Sequence, residues 1–126
     1  MPTVTPARAV AIAQAWLDAF NAHRADRVVE HFSDDVTACS PVIAQLRPDS
    51  GGRLRGKAAV QSYYEDGLRR LPHLHFTLVE VLTGVDQLTI VYRNHDGTLV
   101  AETLKLGADG LVTEVDVTYG APAATS

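Results

Sequence analysis

The apolar residues of this chain change period once, at Pro72, and that change restricts the fold more than any other feature. Before it they recur every three or four residues, as one buried face of a helix requires; beyond it they alternate, as a strand buried on one side requires. Helices first and strands afterwards, within 126 residues, predict a single α+β domain in which helices cover one face of a curved antiparallel sheet.

The helical half reads in three pieces. Thr5 before Pro6 is a helix entry, because threonine can cap open amides and proline at the first position gives up no needed N–H. Val10, Ala13, Trp16, Leu17 and Phe20 follow at helical spacing to about His23. Asp26 is placed to cap a short second helix carrying Val28, Val29 and Phe32, and a strand from Val36 to Ser40 then meets Pro41. The span from Pro41 to Arg55, with Pro48, Asp49, Ser50, Gly51 and Gly52, reads as a long exposed loop. A third helix starts near Gly56 and carries Val60, Tyr63, Tyr64 and Leu68 until Pro72 forbids continuation.

Four strands of a meander follow, His75 to Leu82, Leu88 to Asn94, Leu99 to Leu106 and Leu111 to Tyr119, with Asp96-Gly97 and Asp109-Gly110 as two-residue hairpin signals. If residue 95 pairs with 98 and 108 with 111, one face collects Thr89, Val91, Arg93, Val100, Glu102, Leu104, Leu106, Thr113, Val115, Val117 and Tyr119. This mainly apolar set is expected beneath the helices. The opposite face, with Leu88, Ile90, Tyr92, Leu99, Ala101, Thr103, Lys105, Val112, Glu114, Asp116 and Thr118, is mixed and suits solvent or a second copy in a homodimer. The tail after about residue 120 reads as disordered.

Glu102 is the sharpest functional signal in this register. Val91 and Val117 stand across from it and Val100 and Leu104 flank it along the strand, so its carboxyl is expected in apolar surroundings that favour the neutral acid. A group so placed is a candidate general acid or base. The plainer alternative is an ion pair with Arg93, diagonally across the same face.

Composition removes several classes. Net charge is −4 and the cations are scattered, so no basic face for nucleic acid is expected. No run of eighteen apolar residues spans a membrane and no signal-like N-terminus is visible. The single cysteine, Cys39, forms no internal bridge and has no zinc-ligand spacing, which suits a reducing, cytoplasmic setting. His73 and His75 share a strand face but lack a third ligand, so no metal and no cofactor is expected. His23, His31 and His95 fall at helix ends or a turn, where solvated roles are expected. Arg53 and Arg55 read as a solvated loop.

The order of elements, with the segments "HFSDDVTACSP" and "GKAAVQSYYEDGL", resembles the nuclear transport factor 2-like superfamily, and within it the SnoaL-like polyketide cyclases and ketosteroid isomerases. The resemblance spans helix one to Tyr119. It implies a cystatin-like, cone-shaped sheet around a small-molecule pocket, and dimerisation through the outer sheet face. In ketosteroid isomerase a carboxylate moves a proton while a tyrosine and a neutral acid steady the oxyanion. Carried over, the proton-moving aspartate becomes Ser40, the tyrosine of helix one becomes Trp16, the neutral acid becomes Glu102, and the supporting tyrosine is kept as Tyr64. Serine without a partnering base cannot take a carbon-bound proton, so steroid isomerisation itself is not expected.

The expected site therefore has Glu102 and Tyr64 as catalytic residues, with Trp16, Ser40, Val91, Arg93, Val117 and Tyr119 around an oxygenated, apolar ligand. Tyr63 is expected to pack elsewhere. Two rival readings accompany the isomerase, cyclase or dehydratase: a module that binds a hydrophobic ligand unchanged, and an interaction or assembly protein.

Overall fold

The computed structural model describes residues 4–121. The expected disorder of the tail falls almost wholly beyond Ala121, outside the described residues. Helix α1 spans Pro6–Asn21, and the Thr5 hydroxyl accepts from the Arg8 amide at 3.2 Å, the cap that the sequence signals. His23 closes the helix in the left-handed region, at φ 59°. It is half-buried rather than fully solvated as expected, with its Nε2 2.9 Å from the Leu74 carbonyl. Asn21 beside it donates to and accepts from the backbone of Phe76, so two side chains fasten the end of α1 to the segment that enters the sheet.

Helix α2 is one turn, Ala25–Val28, entered through Arg24 with no side-chain cap; Asp26 lies inside it and pairs with Arg24 at 2.9 Å. Phe32 belongs not to this helix but to strand β1, Phe32–Cys39. The stretch from Pro41 to Arg55 is ordered where a long loop is expected. It folds as helix α3 (Pro41–Leu46), a single tight turn at Pro48–Ser50 and strand β2 (Arg53–Arg55). The Ser40 hydroxyl accepts from the Val42 amide at 3.1 Å, so Ser40-Pro41 starts α3 as Thr5-Pro6 starts α1. Helix α4, Lys57–Arg70, then covers the sheet through Val60, Tyr64 and Leu68.

Strands β3 (Thr77–Thr83), β4 (Gln87–Arg93), β5 (Leu99–Leu106) and β6 (Val112–Tyr119) form the expected meander. The six strands lie in the order β2-β1-β6-β5-β4-β3, antiparallel except for β1 against β6. No helix among the described residues is long and apolar enough to cross a membrane.

The register of β4 differs from expectation by one residue. Asp96-Gly97 is not the centre of a two-residue turn. Asn94 pairs with Thr98, the Gly97 amide donates to the Asn94 carbonyl, and Gly97 takes φ 77°. This is a three-residue loop, a type I turn followed by a left-handed glycine. Asn94 fixes it further, since its Oδ1 accepts from the amides of Asp96 and Thr98. Because side chains alternate, one residue of slip exchanges the faces of β4. Ile90, not Val91, stands opposite Glu102, and Leu88, Ile90 and Tyr92 are buried beneath the helices. Thr89, Val91 and Arg93 face outward.

The second Asp-Gly makes the same loop, with Gly107 paired to Leu111 and Gly110 at φ 83°. There a bulge next to Lys105 and Leu106 restores the expected pairing, so Glu102 opposite Val117 and Leu104 opposite Val115 stand as read. Only the bulged end differs: Val112 is buried against Leu106, and Thr113 is not.

Candidate active site

The inner sheet face, α1, α3 and α4 enclose a cavity of about 490 Å³. Glu102 lies in its wall, 5% exposed, in the row Ile90–Glu102–Val117. The Tyr92 hydroxyl donates to its Oε1 at 2.9 Å, while Oε2 is buried without a partner. Burial pushes this carboxyl up to about 8 from an ordinary 4.5, and the tyrosine bond pulls only weakly the other way. At neutral pH the group is therefore mainly the neutral acid. Oε1 accepts from Tyr92, which leaves the acid proton to Oε2.

Arg93 does not compensate Glu102. It lies exposed on the outer face and donates to the Gly97 carbonyl at 3.0 Å, so the ion-pair alternative is corrected along with the place of Val91. Both corrections have one cause, the extra residue in the β4–β5 turn. The same slip brings Tyr92 inward.

All four tyrosines of the chain line this cavity. Tyr64 does so as expected but makes no hydrogen bond to Glu102; that bond belongs to Tyr92. Tyr63, expected elsewhere, lines it too. Burial raises every one of these phenols, Tyr119 to about 12, so each remains a neutral donor. Tyr119 stands half out of the cavity at the end of β6, and Val117 and Ser40 complete the expected lining. The Ser40 hydroxyl oxygen already accepts the α3 cap bond.

Trp16 is outside this lining. Its ring stacks on Phe76 with centroids 5.9 Å apart and packs against Phe20 and Tyr92, forming a partition behind the cavity. In the place that the resemblance assigns to a tyrosine hydroxyl, the buried indole fills the core against these rings.

His95 is the residue that sequence reading missed. It was expected in a solvated turn, yet it lines the cavity at its mouth, with the side chain 11% exposed. The Asn-His-Asp-Gly sequence carries the signal, since a three-residue loop turns the residue after Asn94 back toward the sheet. Among the described residues no three His, Cys, Asp or Glu side chains meet as a metal site. The arginines near the mouth are engaged: Asp66 holds Arg47 at 3.2 Å, Arg69 at 2.9 Å and Arg70 at 3.3 Å. The wall is thus mainly apolar around Glu102 and the tyrosines, with Arg70, Asn94, His95 and Asp96 also in the lining.

This fold has counterparts. Residues 13–120 match the SnoaL-like domain. The chain belongs to the SnoaL-like family. A SnoaL-like protein of unknown function from Burkholderia thailandensis is 37% identical over 94% of this chain and 99% of its own, with a TM-score of 0.90. A Kribbella flavida protein provisionally assigned as a ketosteroid isomerase superposes with a TM-score of 0.70 at 17% identity, over 92% of this chain and 80% of its own. A Sinorhizobium meliloti protein provisionally assigned as a polyketide cyclase gives 0.70 at 13% identity, over 86% and 94%. No curated protein matches the sequence. The SnoaL-like chain also shares the nuclear transport factor 2-like fold expected from its sequence.

Proposed function

We propose that this SnoaL-like protein is a cofactor-free acid–base enzyme, an isomerase, cyclase or dehydratase, acting on an apolar, oxygenated small molecule. One observation carries the reading: a buried carboxyl whose single protein partner is a tyrosine hydroxyl, and whose second oxygen is unpaired in the wall of an apolar cavity. One carboxyl can complete such a reaction. Oε2–H gives its proton to a carbonyl or departing hydroxyl oxygen, and the carboxylate so formed, still held by Tyr92, takes a proton from a substrate carbon. The sum moves one proton or releases one water and leaves Glu102 as it began. In this reading Tyr64 and Ser40, which line the cavity, donate to the substrate oxygen, the role expected for Trp16 also.

The test is deuterium uptake from heavy water into a panel of apolar ketones and hydroxyketones, followed by mass spectrometry. Glu102→Gln is expected to slow uptake by roughly a hundredfold or more. Full uptake in this variant would sink the assignment.

A second reading is a binding module that holds its ligand unchanged. Ser40 in the place of the base motivates it, since its oxygen serves as a helix cap. Native mass spectrometry separates the two: a co-purified molecule unaltered after long incubation favours binding, and a converted one favours catalysis. Under either reading we place the protein in the cytoplasm as a homodimer through the outer sheet face. Leu88, Ile90 and Tyr92 no longer support that contact, because they are buried inside. Its support is now the outer row of Thr89 and Thr103, whose hydroxyls meet at 2.9 Å, with exposed Leu82 beside them. Light scattering that reports a monomer at high concentration removes this part.

A further inference from the structure

The mouth of the cavity holds a second buried polar group that the acid–base reading leaves unused. His95 is flanked on two sides. The His73 ring meets it edge-on, with centroids 4.9 Å apart and an interplanar angle of 87°, and Asp96 Oδ2 lies 3.6 Å from its Nε2. Its Nδ1 is buried and has no partner. In the neutral ring with its proton on Nε2, toward the Asp96 carboxylate, Nδ1 is an acceptor. A buried acceptor without a partner costs stability unless something else supplies the donor.

Glu102 is the complement at the inner end, with Oε2–H as an unpaired donor. Along β5, Thr98 at the turn and Glu102 are separated by four residues, about 13 Å at the rise of a strand. The two unpaired groups thus sit toward opposite ends of one cavity, a donor inside and an acceptor at the mouth. Between them the walls are apolar or phenolic.

We infer that the cavity takes an elongated molecule carrying a carbonyl at one end and a hydroxyl at the other, and that His95 selects it by accepting from the hydroxyl while Glu102 donates to the carbonyl. This rests on the reading above only in placing a ligand oxygen at Glu102. His95 is a specificity-determining residue in this account, and the ligand's orientation follows from the asymmetry of the two groups.

The full chain is titrated calorimetrically with three rigid ketones: para-acetylbiphenyl with hydrogen, hydroxyl or methoxy at the far para carbon. The hydroxyl ketone is expected to bind about tenfold more tightly than the methoxy one, the ratio that one hydrogen bond supplies. His95→Phe is expected to erase that preference and still bind the methoxy ketone, which also shows that the variant is folded. His95→Asn, whose amide oxygen can stand near the place of Nδ1, is expected to keep part of it. A preference that survives in His95→Phe, or is missing from the unaltered protein, overturns the inference. The ketone with hydrogen serves as the control for the inner end. If it needs Glu102, shown by weak binding to Glu102→Leu, and the hydroxyl adds nothing, the role of His95 alone fails. If it binds regardless of Glu102, or if none of the three binds, this inference falls together with the acid–base reading.

Discussion

At the scale of the residue, the chemistry turns on the proton of Glu102. The neutral acid is the donor, so activity is expected to hold below about pH 8 and to fall as the carboxyl ionises above it. A pH profile of kcat/KM that instead rises through that range contradicts the assigned form. Tyr92→Phe sharpens the point. The tyrosine bond favours the ionised carboxyl, so removing it is expected to move the profile's midpoint upward. It also strands Oε1 in the core, at a cost of about 1–3 kcal/mol by denaturant titration. An unmoved midpoint argues that the two groups are not coupled.

At the scale of the element, the site is made by turns and caps. Deleting His95 shortens the β4–β5 connection to the two-residue loop that Asp-Gly favours with Asn94 still opposite Thr98, so Tyr92 stays beneath the helices and only the imidazole leaves the cavity. The deletion variant is expected to keep cooperative unfolding, read by circular dichroism, because Leu88, Ile90 and Tyr92 remain buried. Loss of a sharp transition would show that the register depends on the third residue of this loop. Ser40→Ala removes the cap of α3, which carries Ile43 into the core. A loss of about 1 kcal/mol is expected, with ligand binding weakened because α3 walls the cavity. Equal melting temperatures would show that the cap contributes nothing.

At the scale of the whole molecule, burying an acid that folds neutral gives stability a defined pH dependence. Between about pH 4.5 and about pH 8 the folded chain holds a proton on Glu102 that the unfolded chain has released. This contribution to stability is therefore fully present below the lower value and is lost as pH rises through the upper one. Glu102→Gln cannot titrate, so the variant is expected to gain on the parent by several kcal/mol toward high pH. Thermal melts across that range check it, and parallel curves for the two proteins would contradict it.

The same ordering by scale separates what was legible in the amino acids from what was not. The periods of 3.6 and 2, the Thr5-Pro6 entry and the break at Pro72 depend on local sterics and burial, so the α+β class, the helices α1 and α4 and the meander are written in the sequence. So is Glu102 as an acid among apolar neighbours, because the bulge in β6 left its pairing with Val117 as read. The partner of that acid was not legible. Whether Asp96-Gly97 closes a loop of two residues or three depends on how Asn94 bonds across it, and one residue decides which whole face of β4 meets the core. Tertiary packing chose the register that buries Leu88, Ile90 and Tyr92 and leaves Arg93 in water, and so it set Tyr92 against Glu102 and His95 at the mouth.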